Sequence, residues 1–216
     1  MNAIETLAEV GGQVRACEKC ALHFSRKNAV PGEGPSNADI MFIGEGPGFY
    51  ENEQGRPFVG QAGKFLEELL AEVGLTREQV FITNVVKCRP PGNRDPLPEE
   101  LAACNGYLDR QIDAINPCII VTLGRFSMAK FLPNTKISEI HGRSSWVNSR
   151  LIVPMYHPAA ALHQPSLKSV LIQDFKGLPA AIEQARKSGH KKIEEEIPPA
   201  QQNQPPEETS EQLSLF

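Results

Sequence analysis

No stretch of these 216 residues is apolar for long enough to cross a bilayer. The N-terminus lacks the basic and apolar regions of a secretion signal, so a cytoplasmic protein is expected. Without export, the five cysteines point to metal ligation or core packing rather than disulfides. No internal repeat is visible. Neither phosphate-cradling glycine pattern, G-x-x-x-x-G-K-S/T or G-x-G-x-x-G, occurs. Lysine and arginine are missing from Ile193 onward, where six glutamates, four prolines and a run of Gln and Asn stand instead. Such a composition buries too little apolar surface to offset its ordering entropy, so residues 191–216 are expected to form a disordered acidic tail. All 22 Lys and Arg fall in residues 1–192 against 20 of the 26 acids, leaving that part near +2 although the whole chain is −4. The overall acidity therefore argues neither for nor against nucleic acid as a partner.

The 40% of hydrophobic residues is ample for a core. Short β-branched apolar runs at Ile40–Ile43, Val80–Val85, Cys118–Leu123 and Leu151–Met155 have the pattern of strands covered on both faces. Helical patterns precede and separate them, over residues 3–16, Gly63–Val73, Pro98–Ile115 and Arg125–Phe131, with a last helix from about Leu167 to Lys187. The alternation predicts one α/β domain over residues 1–190: a three-layer α/β/α sandwich around a short, mainly parallel, four-stranded sheet. Functional loops in such folds lie at the carboxyl ends of strands.

Cys17-Glu-Lys-Cys20 is followed far along by Cys88 and Cys104. A two-residue spacing lets one tight turn aim both thiolates inward, and the remaining pair would close the site across the fold. Structural zinc and an iron–sulfur cluster both accept four thiolates, and spacing does not separate them. Cys118 opens an apolar strand and has the character of a small buried hydrophobe.

After the first strand comes Gly44-Glu-Gly-Pro-Gly48, then Glu51, then Gly55-Arg-Pro-Phe-Val-Gly60. Glycines here let a ligand approach the backbone, and Phe58 is an unusual aromatic for such a loop unless it stacks on something. This run strongly resembles the first motif of family 4 uracil-DNA glycosylases. So do Ile82-Thr-Asn-Val-Val-Lys-Cys-Arg-Pro90 with Pro91-Gly-Asn-Arg94, and Tyr156-His-Pro-Ala-Ala-Ala-Leu162. The order is consistent from Leu7 to Lys187.

The resemblance implies the glycosylase fold and a monofunctional enzyme that excises uracil from single- and double-stranded DNA, leaving an abasic site. It implies a 4Fe-4S cluster on Cys17, Cys20, Cys88 and Cys104. Gly44, Glu45 and Gly46 would line the uracil pocket, with Phe58 stacking on the base and Glu51 walling off thymine's methyl group. Asn84 would read the base, since an amide offers the donor and acceptor that match uracil O4 and N3–H, and cytosine reverses both. His157 would donate to O2 as charge develops there, and Glu45 would position water or balance sugar charge. Lys87, Arg89 and Arg94 would face phosphate. Some relatives trap the abasic sugar through a histidine in an inserted basic loop, and no insertion lies between Lys87 and Pro98.

Two positions depart from the family pattern: Asn52 stands where Asp is frequent, and His163 where Arg is frequent. The last five residues, Gln212, Leu213, Ser214, Leu215 and Phe216, resemble the short motif by which bacterial repair proteins bind the sliding clamp, implying a bacterial source. A monomer is expected.

Overall fold

The computed structural model describes residues 2–188. In chain order they form α1 (Ala3–Arg15), β1 (Ile40–Gly44), α2 (Phe49–Gln54), α3 (Gln61–Ala71), β2 (Phe81–Asn84), α4 (Pro98–Ile115) and β3 (Ile119–Leu123). Then follow α5 (Arg125–Ala129), α6 (Ile137–Ile140), β4 (Ser145–Val147), β5 (Arg150–Met155), α7 (Pro158–His163), α8 (Ser166–Lys176) and α9 (Leu178–Lys187). The sheet order is β2-β1-β3-β5-β4, parallel throughout except for β4.

Period-two alternation sorts the strand side chains into two cores. Ile40 and Phe42 of β1 point with Ile119, Val121, Leu151 and Val153 toward α3, α8 and α9, meeting Leu66, Leu69, Phe175 and Leu178. Met41, Ile43, Ile120 and Ile152 point the other way, onto Leu108, Ile112 and Ile115 of α4. A third cluster joins α1 (Val10, Val14) and α4 (Cys104, Tyr107) to Leu22, Val86 and Cys88. The caps are written in the sequence. Asn2 accepts from the Glu5 amide at 2.9 Å while Glu5 accepts from the Asn2 amide at 3.0 Å, a reciprocal cap that typically contributes ~1 kcal/mol. α4 starts at Pro98, with buried Glu100 accepting from the Leu97 amide at 2.8 Å and from both Arg94 terminal nitrogens at 2.9 and 2.7 Å.

The expected four-stranded sheet has a fifth strand. β4 turns back on β5 through Asn148 and Ser149, both left-handed at φ 47° and 64°, the two-residue turn that suits a hairpin's twist. The expected last helix is two helices, α8 and α9, which divide at Gly177. Pro179 in the first turn of α9 offers no N–H to the turn before it. Part of the expected glycine-rich loop is helical as α2, ended by Gly55 at φ 71°. Among the described residues no helix is long and apolar enough to cross a membrane. The acidic tail with its expected disorder, and the motif Gln212–Phe216, lie outside the described residues.

Candidate active site

β1 and β2 end side by side, with Gly44 in register with Asn84. Their pairing continues beyond the strands, through Val85 N–H to Gly44 O (3.0 Å) and Val86 N–H to Glu45 O (3.1 Å). The loops after β1 and β2 thus leave the sheet together, and His157 arrives two residues after β5. Between them lies a cavity of about 340 Å³ lined by Glu45, Gly46, Glu51, Phe58, Asn84, His157 and His163, among others. Gly44 lies beneath the floor instead. A Cβ there would stand 2.4 Å from Asn84 Oδ1 and 2.7 Å from Phe58 Cζ, so only glycine lets both side chains cross this backbone.

Phe58 is held in the left-handed region at φ 51°, a shape that costs a non-glycine residue ~1–3 kcal/mol. Three groups compel it. Glu51 accepts from the amides of Val59 (2.8 Å), Gly60 (2.9 Å) and Gly48 (3.1 Å), clasping both ends of the loop. Arg77 donates to Phe58 O at 2.9 Å and also to Pro57 O, and is itself steadied by Glu33 at 2.6 Å. Gly63 packs so tightly that an added Cβ would fall 1.9 Å from Phe58 O. The Phe58 ring, 5% exposed, has its centroid 5.4 Å from that of His157.

The side-chain oxygen of Asn84 is buried without a hydrogen-bond partner, which costs ~1–3 kcal/mol unless something supplies one. His157 caps α7: its Nδ1 accepts from the Ala159 amide at 3.1 Å. That bond places the proton of the neutral ring on Nε2. Burial pushes the His157 pKa down to about 4, against the pull of the Glu51 carboxylate, so the ring is neutral at physiological pH. Burial, and then the Asp95 carboxylate, push the Glu45 pKa up, with Arg125 opposing. Arg125 is ion-paired with Asp95.

Lys87 is a correction. It is 1% exposed and reaches no phosphate: its Nζ donates to Thr83 Oγ1 (2.6 Å), Gln111 Oε1 (2.7 Å) and Asn84 O (2.9 Å). Burial lowers its pKa to about 7. Its neighbours Val85, Val86 and Cys88 are all apolar, which was the available signal. Gln111, eighty residues from the Pro31 carbonyl to which it donates at 2.8 Å, left no sign in the sequence of its supporting place. Arg94 lines the cavity mouth but is engaged by Glu100, whereas Arg89 donates to Asn93 at 2.7 Å and covers the Phe49 ring. Asn52 turns away from the cavity, accepting from the Lys27 amide at 2.9 Å, and His163 is at the cavity wall.

Cys17, Cys20, Cys88 and Cys104 line one small cavity with Lys19, Arg26 and Lys87, and none is in a disulfide. Arg26 Nη1 is 3.5 Å from Cys88 Sγ and donates to Cys17 O at 2.5 Å. Burial pushes the Cys88 thiol up, with Arg26 opposing, and that of Cys104 to about 11, with Lys87 opposing. Among the described residues no three metal-ligating side chains close on a single point. Cys118 lies elsewhere, donating to Asp39 O at 3.3 Å.

Residues 31–176 match the Uracil DNA glycosylase superfamily. The chain is 52% identical over 183 residues to the Type-4 uracil-DNA glycosylase of Sulfurisphaera tokodaii, covering 80% of this chain and 83% of that one. It is 50% identical to the Type-4 enzyme of Saccharolobus solfataricus, over 83% of this chain and 88% of that one. The Type-4 enzyme of Thermotoga maritima is 44% identical, over 79% and 92%. With a mainly parallel sheet, a cavity at its strand ends and a match over most of its length to these enzymes, the chain belongs to the uracil-DNA glycosylase superfamily, as a type-4 uracil-DNA glycosylase that hydrolyses N-glycosyl bonds.

Proposed function

We propose that the 340 Å³ cavity receives a uracil flipped out of single- or double-stranded DNA, with Asn84 reading its edge. The buried, unpartnered side-chain oxygen of Asn84, a residue of the cavity wall, carries this reading, because a buried polar atom without a partner calls for one and a bound base supplies it. Phe58 supplies the stacking face, Glu51 with Gly46 sets how close the base comes, and His157 Nε2–H donates to O2. The C1′–N1 bond breaks with its electron pair leaving on the base. Water adds to C1′ and passes its proton to solvent, the charge on the departing uracil being neutralised by a proton from solvent, with Glu45 placed to orient the water or balance the sugar's charge. Replacement Asn84→Asp is expected to slow uracil release in single-turnover assays. An unchanged rate would remove Asn84 from the pocket.

The four clustered cysteines fit a 4Fe-4S cluster held by Cys17, Cys20, Cys88 and Cys104. Bound there, the cluster would tie the segment after α1 to the loop after β2 and to α4, and Arg26 would stand against the Cys88 sulfur. The purified protein is expected to hold four irons, to lose them on Cys104→Ser and to keep them on Cys118→Ser. One zinc and no iron after anaerobic preparation would overturn this.

The tail ending in Gln212–Phe216 is proposed to bind a bacterial sliding clamp as a peptide in a groove. Deleting those five residues is expected to abolish clamp binding in calorimetry while excision from short oligonucleotides continues unchanged. Equal clamp binding by both forms, or none by either, would refute it.

A further inference from the structure

We propose that Phe49 and Tyr50, with Arg89, form a stacking platform for the unpaired base next to the extruded uracil. This inference rests on the cavity being the uracil pocket. Phe49 and Tyr50 are 52% and 54% exposed, and neither joins a hydrophobic cluster of the fold. Their rings meet edge to face, centroids 5.4 Å apart at 85°. Such a pair presents a broad aromatic surface to solvent and does nothing for the core.

Its position is what gives it a ligand. Phe49 and Tyr50 lie between Gly48 and Glu51, both of which line the cavity, so the platform adjoins the pocket rim. The Glu51 clasp that holds Gly48 and Gly60 also fixes the first turn of α2, on which both rings stand. Tyr50 lies against Gly60, where an added Cβ would be 3.3 Å from Cδ2, so the glycine lets the ring rest on the loop that carries Phe58. The Arg89 guanidinium sits 5.3 Å from the Phe49 centroid. Its Nε donates at 2.7 Å to Asn93, another residue of the cavity wall.

Aromatic faces beside a fixed cation suit a nucleotide: the base stacks on the ring and the phosphate joining it to the uridine meets the arginine. Every base has a π-face, so the platform is indifferent to sequence. It is not indifferent to strandedness. In a duplex the neighbouring base stays stacked within its helix, whereas in a single strand it is free to move onto the rings. The platform therefore favours uracil in single-stranded DNA.

The test uses the full chain and four uracil oligonucleotides: an ordinary single strand, its duplex, and two single strands with an abasic tetrahydrofuran on the 5′ or the 3′ side of the uracil. For Phe49→Ala/Tyr50→Ala, the concentration giving half-maximal excision on the ordinary single strand is expected to rise roughly five- to hundredfold, the scale of one lost base–aromatic stack. The saturated rate and the duplex substrate should be unaffected. On one of the two abasic-neighbour strands wild type should fall to the level of the variant. Equal half-saturation of wild type and variant on the ordinary strand would overturn the platform, as would an equal loss by the variant on both abasic-neighbour strands. Failure of wild type to excise uracil from any of the four would instead overturn the pocket reading beneath it.

Discussion

Replacing His157 with alanine is expected to slow base release by ~10²–10³ while DNA affinity stays nearly constant. The imidazole Nε2–H is aimed by the Ala159 amide bond to Nδ1, and in the proposed role its hydrogen bond to O2 would gain strength only as negative charge gathers there. Single-turnover rates and separate binding curves decide it, and a loss confined to affinity would make His157 a binding residue. The pH profile adds an independent reading. With a pKa of about 4 the ring keeps one charge state over the working range, so His157 does not set the acid limb. Glu45, in its proposed role, is expected to set it, its pKa being raised by burial and Asp95: the rate should fall as the carboxylate gains a proton, at a pH above the ordinary carboxylate value of 4.5. Glu45→Gln should remove that limb, and His157→Ala should leave it. Stability follows the same shift of His157. The unfolded ring takes its proton near 6.5 and the folded ring only near 4, so its contribution is lost as pH falls through that window.

Gly44→Ala is expected to cost on the order of 10²-fold in excision, the scale of an ångström's misplacement of reacting groups. The new methyl would press on Asn84 Oδ1 at 2.4 Å and on Phe58 Cζ at 2.7 Å, and neither can retreat freely. Asn84 is the last residue of a buried strand, and Phe58 is pinned through its carbonyl by Arg77. Overpacking of this kind costs ~1–3 kcal/mol of stability, so the variant should fold and melt somewhat lower. Parallel melting curves and uracil-release rates check it; wild-type excision by a folded Gly44→Ala protein would show that the floor is not tight.

The four parallel strands were legible because each is a short, mainly apolar run between loop residues, and α4 because its helical pattern is long. β4 was not, since it is three residues long and mostly exposed; only Asn148-Ser149 hints at the turn behind it. At the site, Glu45, Glu51, Phe58, Asn84 and His157 were named through the resemblance of their motifs to the family, and the structure brings them to one cavity. What holds them was not readable. Arg77 reaches Phe58 from nineteen residues away and Lys87 is held by Gln111 from twenty-four, and contacts between distant segments leave no local periodicity.

The left-handed shape of Phe58 is imposed from within the chain, by Glu51, Arg77 and Gly63. The conformational cost is thus met once, during folding, and is not charged against each encounter with DNA. A uracil ring entering the cavity, as proposed, would meet a wall already cut to size, leaving its contact energy for pulling the nucleotide out of the stack. Free uracil, which needs no extrusion, should for the same reason dock without rearranging the loop and act as a simple competitive product inhibitor.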